Sequence, residues 1–370
     1  MGKPGYISPA RPILIGTRMY KEVKTIMKIQ LNGPYVTILL LIATLFCSSV
    51  LPGRAWAEAA QMVASDGFVS LALADEASVA GTGDGGRVDG FDGTGRASAA
   101  TLFDLGVTRE YSWNNGRLPD DILEVEKNAV PAMPPGWEWA AAESTLGNDG
   151  SQRLFARVYP ARAVVYITFT TAGGLSRCTG WLIGWDTVMT AGHCVHPGFA
   201  AGDWYTNYTI YPGRDGAVAP YGSCGAVRLY STTLWTDGGN WEYDYGAIKL
   251  DCNIGRTVGW FGWRWKPGNL GLQPTILQGY PAGKPGTWRQ WTSTDKNRCN
   301  HVRKVFYLAD TAGGESGGPI WNNTIGNGIH ALGIHAYGAA VNPCGRLTNS
   351  GTRITQAVSD MMKIWRADPK

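Results

Sequence analysis

Short runs of β-branched and aromatic residues recur along the chain from Ala163 onward, and Gly, Pro, Asn and Asp interrupt them. Runs bounded in this way are typical of β-strands. The predicted strands are Val164–Thr170, Thr187–Thr190, Tyr208–Tyr211, Ala247–Leu250, Thr275–Gly279, Val305–Ala309 and Ala331–Tyr337. The pattern therefore indicates an all-β body, built as two β-barrels or as a sandwich.

One segment near the carboxy terminus has a different period. Its apolar residues repeat at helical spacing: Ile354, Val358, Met361, Met362 and Trp365. Because residues three and four apart lie on one face of an α-helix, this spacing predicts a single amphipathic helix that closes the fold.

The amino-terminal part has the pattern of a targeting signal. A basic stretch ending at Lys28 precedes an apolar run over residues 35–47, and the small residues of Ala55–Ala57 bracket one position as signal peptidase requires. A membrane anchor is the alternative, but the run is shorter than the roughly 20 residues that span a bilayer. We therefore predict a signal peptide over 1–57 and a secreted, extracellular product that does not remain in a membrane.

Composition excludes two classes of protein. With 44% hydrophobic and 17% charged residues, the 370-residue chain can bury a large core and is not disordered as a whole. Its 50 Gly and 20 Pro argue against a coiled coil or a long helical bundle.

Charge is divided unevenly among three segments. The net charge is +6 over residues 1–57, −10 over 58–143 and +8 over 144–370. The middle segment is rich in Gly, Ala, Asp and Glu and has no Cys. Because its charge is opposite to that of 144–370, we predict a pro-segment that docks on the following domain, where it blocks a site or guides folding until it is cut off. An acidic spacer is the alternative.

Six of the seven cysteines lie outside the predicted signal peptide: Cys178, Cys194, Cys224, Cys252, Cys299 and Cys344. An even number in a secreted protein favours three disulfides, and these residues alone leave fifteen arrangements open.

Three motifs within 144–370 supply the parts of a nucleophilic site. His193 follows a predicted strand and Asp244 precedes another. Ser316 lies in the glycine-dense turn Gly313–Pro319. A serine hydroxyl attacks efficiently only when an imidazole takes its proton, and a carboxylate must fix the tautomer of that imidazole. We therefore predict His193 as base, Asp244 as orienting acid and Ser316 as nucleophile.

The glycines of this turn have a separate role. They allow the backbone N–H groups of Gly314 and Ser316 to point at the oxygen that becomes negative in an acyl tetrahedral intermediate, which forms an oxyanion hole. A metal site at His193–His196 is the competing interpretation, but no further ligand cluster at the usual spacings accompanies it. We expect neither a metal nor a cofactor.

The same motifs resemble those of chymotrypsin-like serine peptidases. The matching segments are Cys178–Ile183, Thr190–Cys194, Tyr243–Lys249 and Gly314–Pro319. Five further segments resemble the secreted bacterial glutamyl endopeptidases: Tyr166–Phe169, Tyr211–Gly213, Cys252–Gly255, Gly279–Lys284 and Gly333–Gly338. The resemblance extends from about Thr145 to the carboxy terminus, with the motifs in the family's order.

This resemblance implies two perpendicular six-stranded β-barrels, over 144–255 and 256–370, with the site in the cleft between them. It also implies a bridge between Cys178 and Cys194. The other four cysteines then allow three pairings, of which Cys224–Cys252 with Cys299–Cys344 keeps each bridge inside one barrel.

The resemblance further implies a pocket for an acidic substrate side chain, with Thr311, His335 and Gly338 as substrate-binding residues. A protonated imidazole donates hydrogen bonds to a carboxylate, which agrees with cleavage after Glu, or after Asp. His335 as an ordinary strand residue, and His330 in its place, are alternatives. Asp310 stands where trypsin-like enzymes carry the acid that binds Arg or Lys, so a different specificity stays open, as does a non-catalytic binding module.

Two positions depart from the commonest chymotrypsin-like pattern. Glu315, rather than Asp, precedes the nucleophile, and the mature start near Ser144–Gly147 lacks the usual Ile/Val-Val-Gly-Gly. The bond between Glu143 and Ser144 is itself a glutamyl bond, which suggests self-cleavage there. The expected partners are protein or peptide substrates and the chain's own pro-segment, with no nucleic acid, and the expected state is a monomer.

Overall fold

The computed structural model describes residues 61–67, 85–93, 145–146, 149–268, 270–285, 288–299, 301–324 and 328–369. The predicted signal peptide and most of the predicted pro-segment lie outside these residues. The strands are β1 (Met62–Ala64), β2 (Gly86–Val88), β3 (Gln152–Arg153), β4 (Val164–Thr171), β5 (Gly174–Leu182), β6 (Thr187–Thr190), β7 (Thr206–Pro212), β8 (Ala226–Thr232), β9 (Gly246–Leu250), β10 (Gly262–Trp265), β11 (Pro274–Gly279), β12 (Trp291–Lys296), β13 (Lys304–Tyr307), β14 (Pro319–Thr324), β15 (Gly328–Val341) and β16 (Leu347–Arg353). The α-helices are α1 (Thr233–Thr236), α2 (Gly255–Val258) and α3 (Gln356–Ala367).

The strands form two sheets, which we call the first and second lobes. The first lobe has seven strands in the order β1-β8-β9-β6-β5-β4-β7. The second has nine, of which seven follow the order β13-β16-β15-β14-β11-β12-β3, while β10 pairs with β15 and β2 pairs with β10. Each predicted strand overlaps an observed one, and the predicted all-β fold is confirmed.

Both sheets hold more strands than the six expected of each barrel. Two of the additional strands, β1 and β2, come from the predicted pro-segment. The strand β3 lies within 144–255 yet pairs with β12 in the second lobe. A sheet edge presents unpaired N–H and C=O groups that a further strand can satisfy, and this accounts for β1, β2 and β3, three of the four strands beyond the expected twelve.

One hydrophobic cluster joins the lobes behind the site. It contains buried aromatic side chains from both, including Tyr166, Trp181, Phe261 and Trp321. The rings of Trp181 and Trp321 both pack edge-on against Phe261, with centroids 5.6 and 5.9 Å away. Truncating a buried Phe or Trp to Ala typically lowers the free energy of unfolding by about 3–5 kcal/mol. Because these rings come from both lobes, their packing holds the two lobes together.

The predicted closing helix is confirmed as α3. The side chain of Thr355 caps its first turn by accepting from the N–H of Val358 at 3.3 Å. Its buried face is formed by Val358, Met361, Met362 and Trp365, which lie at the predicted spacing. Among the described residues, no helix is long and apolar enough to cross a membrane.

Three disulfides are present. They join Cys178 to Cys194, Cys224 to Cys252, and Cys299 to Cys344. The first ties β5 to the turn that carries His193, and each bridge stays within one lobe.

Candidate active site

The structure brings His193 and Asp244 into direct contact. His193 lies in a short 3₁₀ turn, Gly192–Cys194, which begins where β6 ends. Its backbone N–H donates to Asp244 Oδ1 at 2.8 Å, and its ring Nδ1 is 2.8 Å from Asp244 Oδ2. Because the carboxylate accepts at Nδ1, the other ring nitrogen, Nε2, becomes the proton acceptor.

Gly192 is required by this contact. A Cβ at position 192 would lie 3.0 Å from Asp244 Oδ1 and 2.9 Å from a ring carbon of Trp235. A larger residue would therefore push the turn away from the carboxylate.

Asp244 is fully buried and follows a second 3₁₀ turn, Trp241–Tyr243. Burial alone would raise the pKa of this carboxyl. The charge and hydrogen bond of His193 oppose that effect, with smaller contributions from Lys304 and the Tyr337 hydroxyl, and the pKa of Asp244 lies below its ordinary value. The residue is therefore held as a carboxylate beside the imidazole.

Ser316 lies in a turn of the second lobe that packs against the His193 turn of the first. Its carbonyl oxygen accepts from the N–H of Thr179 at 2.8 Å and lies 3.7 Å from Cys194 Sγ. Gly317 has a φ of 85°, and a Cβ there would lie 2.1 Å from Thr190 Oγ1 and 2.9 Å from the amide nitrogen of Ala191. The absence of a side chain at 317 thus permits the two turns to meet.

Gly314 is the other residue predicted for the oxyanion hole. Its φ of 97° lies in a region that residues with a side chain rarely adopt, and a Cβ would be 2.7 Å from the carbonyl oxygen of Tyr280. The position therefore requires glycine for both conformation and space.

Glu315 is buried and closes the same turn. Its Oε2 accepts from the N–H of Ala312 at 2.8 Å. The Glu315 carboxylate therefore stabilises the turn itself. In the commonest chymotrypsin-like pattern this position, directly before the nucleophile, is Asp.

His335 lies on β15 directly behind the Ser316 turn. Its carbonyl accepts from the N–H of Gly317 at 2.7 Å, and its own N–H donates to the carbonyl of Gly318 at 2.9 Å. The side chain is fully buried, and its Nδ1 is hydrogen-bonded to the hydroxyl of the buried Tyr307. The backbone thus fixes the imidazole relative to the predicted nucleophile.

Thr311 and Gly338 are the other predicted pocket residues. Thr311 is buried, and among the described residues its hydroxyl has no hydrogen-bond partner. A buried hydroxyl without a partner is unfavourable, so this group suits an arriving polar atom. Gly338 lies on β15, where the pairing with β16 shifts register between Tyr337 and Ala340.

Asp310 and His330, the two alternatives, are placed elsewhere by their contacts. The Asp310 carboxylate accepts from the N–H of Leu146 at 2.9 Å and from that of Gly150 at 2.7 Å, so both oxygens hold the segment before β3. His330 is buried on β15, with its Nε2 3.4 Å from Asp89, next to β2.

Lys304, which sequence analysis did not single out, is fully buried behind Asp244. Its Nζ lies 4.9 and 4.7 Å from the ring centroids of Trp241 and Tyr337, and donates to Thr352 Oγ1 at 3.3 Å. That hydroxyl donates to the carbonyl of Asp244 at 2.9 Å. A lysine at the start of a strand is normally read as exposed, and only the long-range packing shows otherwise.

Two groups of potential metal ligands occur among the described residues. One combines Cys178, Cys194 and His193, and the other combines Cys224, Cys252 and Asp251. Both pairs of cysteines are disulfide-bonded and offer no thiolate, so these donor sets do not fit a metal ion.

Comparison with known proteins agrees with this geometry. The Trypsin family model matches residues 156–360. A glutamyl endopeptidase of Bacillus licheniformis is 35% identical over 257 residues, which cover 68% of this chain and 76% of that relative. A Bacillus subtilis protein named extracellular metalloprotease is 34% identical over 248 residues, which cover 65% and 73%.

A solved structure of a Glu endopeptidase in complex with MPD is similar as well. It has a TM-score of 0.54 and 29% identity, and the match covers 60% of this chain and 100% of that one. The fold and the sequence matches agree: the chain belongs to the trypsin family, as a serine peptidase that hydrolyses protein or peptide substrates.

Proposed function

We propose that this peptidase cleaves after glutamate through an acyl-enzyme on Ser316. His193 Nε2 takes the proton of the Ser316 hydroxyl as its oxygen attacks the carbonyl carbon, and Asp244 stabilises the imidazolium that forms. The N–H groups of Gly314 and Ser316 stabilise the oxyanion. The imidazolium then protonates the leaving amine as the C–N bond breaks. In the second half of the reaction His193 takes a proton from water, whose oxygen attacks the acyl carbon, and the imidazolium returns a proton to the Ser316 oxygen as the acid is released.

The observation that carries the specificity is the attachment of His335 to the Ser316 turn. Two backbone hydrogen bonds, at 2.7 and 2.9 Å, join His335 to Gly317 and Gly318, the two residues that follow Ser316, and Thr311 offers a buried hydroxyl earlier in the same turn region. A pocket that pairs a polar substrate group can reject analogues without it by about 10⁴–10⁵. The binding of both Asp310 oxygens to backbone N–H groups disfavours a preference for Arg or Lys.

The first experiment is digestion of a denatured protein, followed by sequencing of the new carboxy termini. We expect most to be Glu, and a minority to be Asp. Termini that are mainly Arg, Lys or aromatic would exclude the proposal, while a chain whose Ser316 is not labelled by a fluorophosphonate would exclude acyl-enzyme chemistry altogether.

A matched pair of variants tests the pocket. His335→Gln should lower kcat/KM for a glutamyl peptide by about 10² or more relative to its glutaminyl analogue, since the imidazole donor is lost. His330→Gln changes a buried imidazole on the same strand and should leave that ratio unchanged. Equal effects of both variants would contradict a pocket role for His335.

We also propose that the protein is a secreted monomer made as a precursor and cut near Glu143. The predicted signal pattern and the similarity to a relative named extracellular support secretion. Amino-terminal sequencing and gel filtration of the secreted product test both points. Correct trimming of a purified Ser316→Ala chain would exclude self-cleavage.

A further inference from the structure

The described parts of the predicted pro-segment are joined to the peptidase by strand pairing. In β1, Met62 is opposite Thr232 and Ala64 is opposite Tyr230, on the edge strand β8. Both side chains are buried, with 3% and 1% exposed, and they belong to the core cluster that joins the lobes. This segment is therefore a structural edge strand of the first lobe.

A second attachment is made to the other lobe. The strand β2 pairs with β10, and beyond it Phe91 and Trp260 exchange two backbone hydrogen bonds of 2.8 and 2.7 Å. The rings of these two residues lie 4.6 Å apart, and Arg162 donates to the carbonyl of the buried Asp92.

Two glycines allow this close approach. A Cβ on Gly90 would lie 2.4 Å from the amide nitrogen of Gly262, and a Cβ on Gly262 would lie 2.6 Å from that of Gly90. The backbones therefore meet at a distance that no other residue pair permits.

Charge contributes less than burial. Asp66 pairs with Arg228 at 2.7 Å, but both side chains are substantially exposed. Pairs of this kind contribute little on their own, so the buried and stacked residues carry the attachment.

Each strand has only three residues, and a pairing that short is weak alone. The two are joined along the chain through residues 68–84, so once one binds, the other is present at a high effective concentration. The covalent link between β1 and β2 therefore makes the binding of each strand to its lobe stronger than it would be for a separate peptide.

We propose that the segments 61–67 and 85–93 form a two-point β-strand clamp, which holds the lobes together during folding and stays bound after the chain is cut near Glu143. The proposal rests on the precursor proposed above: the cut frees the carboxy-terminal end of the amino-terminal fragment at about residue 143, and the strand pairings of β1 and β2 keep this fragment on the peptidase. It assigns this segment a structural role, rather than that of a released inhibitor.

The test uses the chain with Ser316→Ala and, in place of the residues around Glu143, a recognition sequence for an unrelated protease. Neither natural processing nor substrate specificity then enters the result. After cutting, gel filtration and mass spectrometry should show the amino-terminal fragment in equal amount with 144–370. Separate elution of the fragment and the domain would overturn the proposal.

Variants locate the attachment. Met62→Asp and Phe91→Asp each place a charge at a contact of the clamp and should lower the retained fragment at least tenfold. Gln61→Asp adds the same charge to an exposed neighbouring side chain and should retain it fully. Full retention by both Met62→Asp and Phe91→Asp would contradict the proposal.

A variant that fails to fold is tested by co-expression with unaltered residues 58–143 as a separate chain. Recovery of soluble protein supports the clamp, and no recovery contradicts it.

Discussion

Two lysines, Lys249 in the first lobe and Lys304 in the second, are fully buried in different surroundings. The Nζ of Lys249 lies 3.2 Å from Asp186 Oδ1 and donates to Thr187 Oγ1 at 2.9 Å. Lys304 instead has the hydroxyl of Thr352 and the faces of two aromatic rings. One lysine forms a structural ion pair, whereas the other places a poorly solvated charge behind Asp244.

The electrostatic consequence follows from this difference. Burial lowers the pKa of Lys304 to about 7, against the opposing attraction of Asp244 and Glu242. Its charge therefore changes within the range in which an imidazole of ordinary pKa also titrates. The charge of Lys304 therefore acts on Asp244, where it contributes to the lowered pKa of that carboxyl.

The largest expected effect concerns the two carboxylates beside these lysines. Asp244→Asn should lower kcat by about 10⁴, because the imidazole loses the group that fixes its tautomer. Asp186→Asn should lower the free energy of unfolding and leave kcat of the folded protein within about threefold, since Asp186 precedes β6 whereas His193 follows the end of that strand. Kinetics with a glutamyl peptide and circular dichroism check both, and a similar loss of kcat in the two variants would contradict the contrast.

Replacing the lysines themselves should give effects on stability that differ in sign. Lys249→Met leaves Asp186 buried without its ammonium partner and should lower the free energy of unfolding by about 3–5 kcal/mol. Lys304→Met removes a charge that forms no ion pair with any residue of the described ranges, and should be neutral or stabilising by up to about 4 kcal/mol at pH 7. Urea unfolding of the oxidised proteins measures this, and losses of equal size would show that the two sites are equivalent.

The pH dependence of stability sharpens the comparison. Between pH 7 and about 10 the unfolded chain keeps a proton on Lys304 that the folded chain has lost, so stability rises with pH in this window. The slope from this group is at most about 1.4 kcal/mol per pH unit. The free energy of unfolding is measured at pH 7, 8 and 9 for the unaltered chain and for Lys304→Met. It should rise more steeply with pH in the unaltered chain, and equal slopes for the two proteins would refute the lowered pKa.

Thr352→Val should have the smallest effect. It removes the hydroxyl between Lys304 and the carbonyl of Asp244, and we expect a loss of about 1 kcal/mol of stability with a change in kcat of a few-fold. The control is Thr348→Val on the same strand, whose hydroxyl accepts from Asn342 at 3.2 Å and should affect stability alone. If kcat falls equally in both, the link from Lys304 to Asp244 is not specific.

The strands and the closing helix could be predicted because their signals are local. A run of β-branched residues, or apolar residues at the spacing of Val358 and Met361, carries its period within a few positions. The assignment of His193, Asp244 and Ser316 rested on short motifs, which the fold then brings close in space.

The features that escaped prediction depend on distant partners. Lys304 begins a strand and nothing near it in the sequence indicates full burial. The strand β1, which pairs with β8, lies in an acidic, glycine-rich stretch whose composition predicts a docking pro-segment or an acidic spacer rather than a strand of the first lobe. The partners of Lys304 lie tens of residues away, and those of β1 more than a hundred, so neither set of contacts leaves a local period in the sequence.

The contacts of Asp310 also limit attempts to redesign selectivity. Removing the imidazole at 335 to obtain cleavage after arginine would leave the Asp310 carboxylate already engaged, since one oxygen accepts from the amide of Leu146 and the other from that of Gly150. A guanidinium would have to share this carboxylate with the two amides and compete with them for its oxygens. Changing the specificity would first require new hydrogen-bond acceptors for the N–H groups of Leu146 and Gly150. The substrate pocket and the segment before β3 would therefore have to be redesigned together.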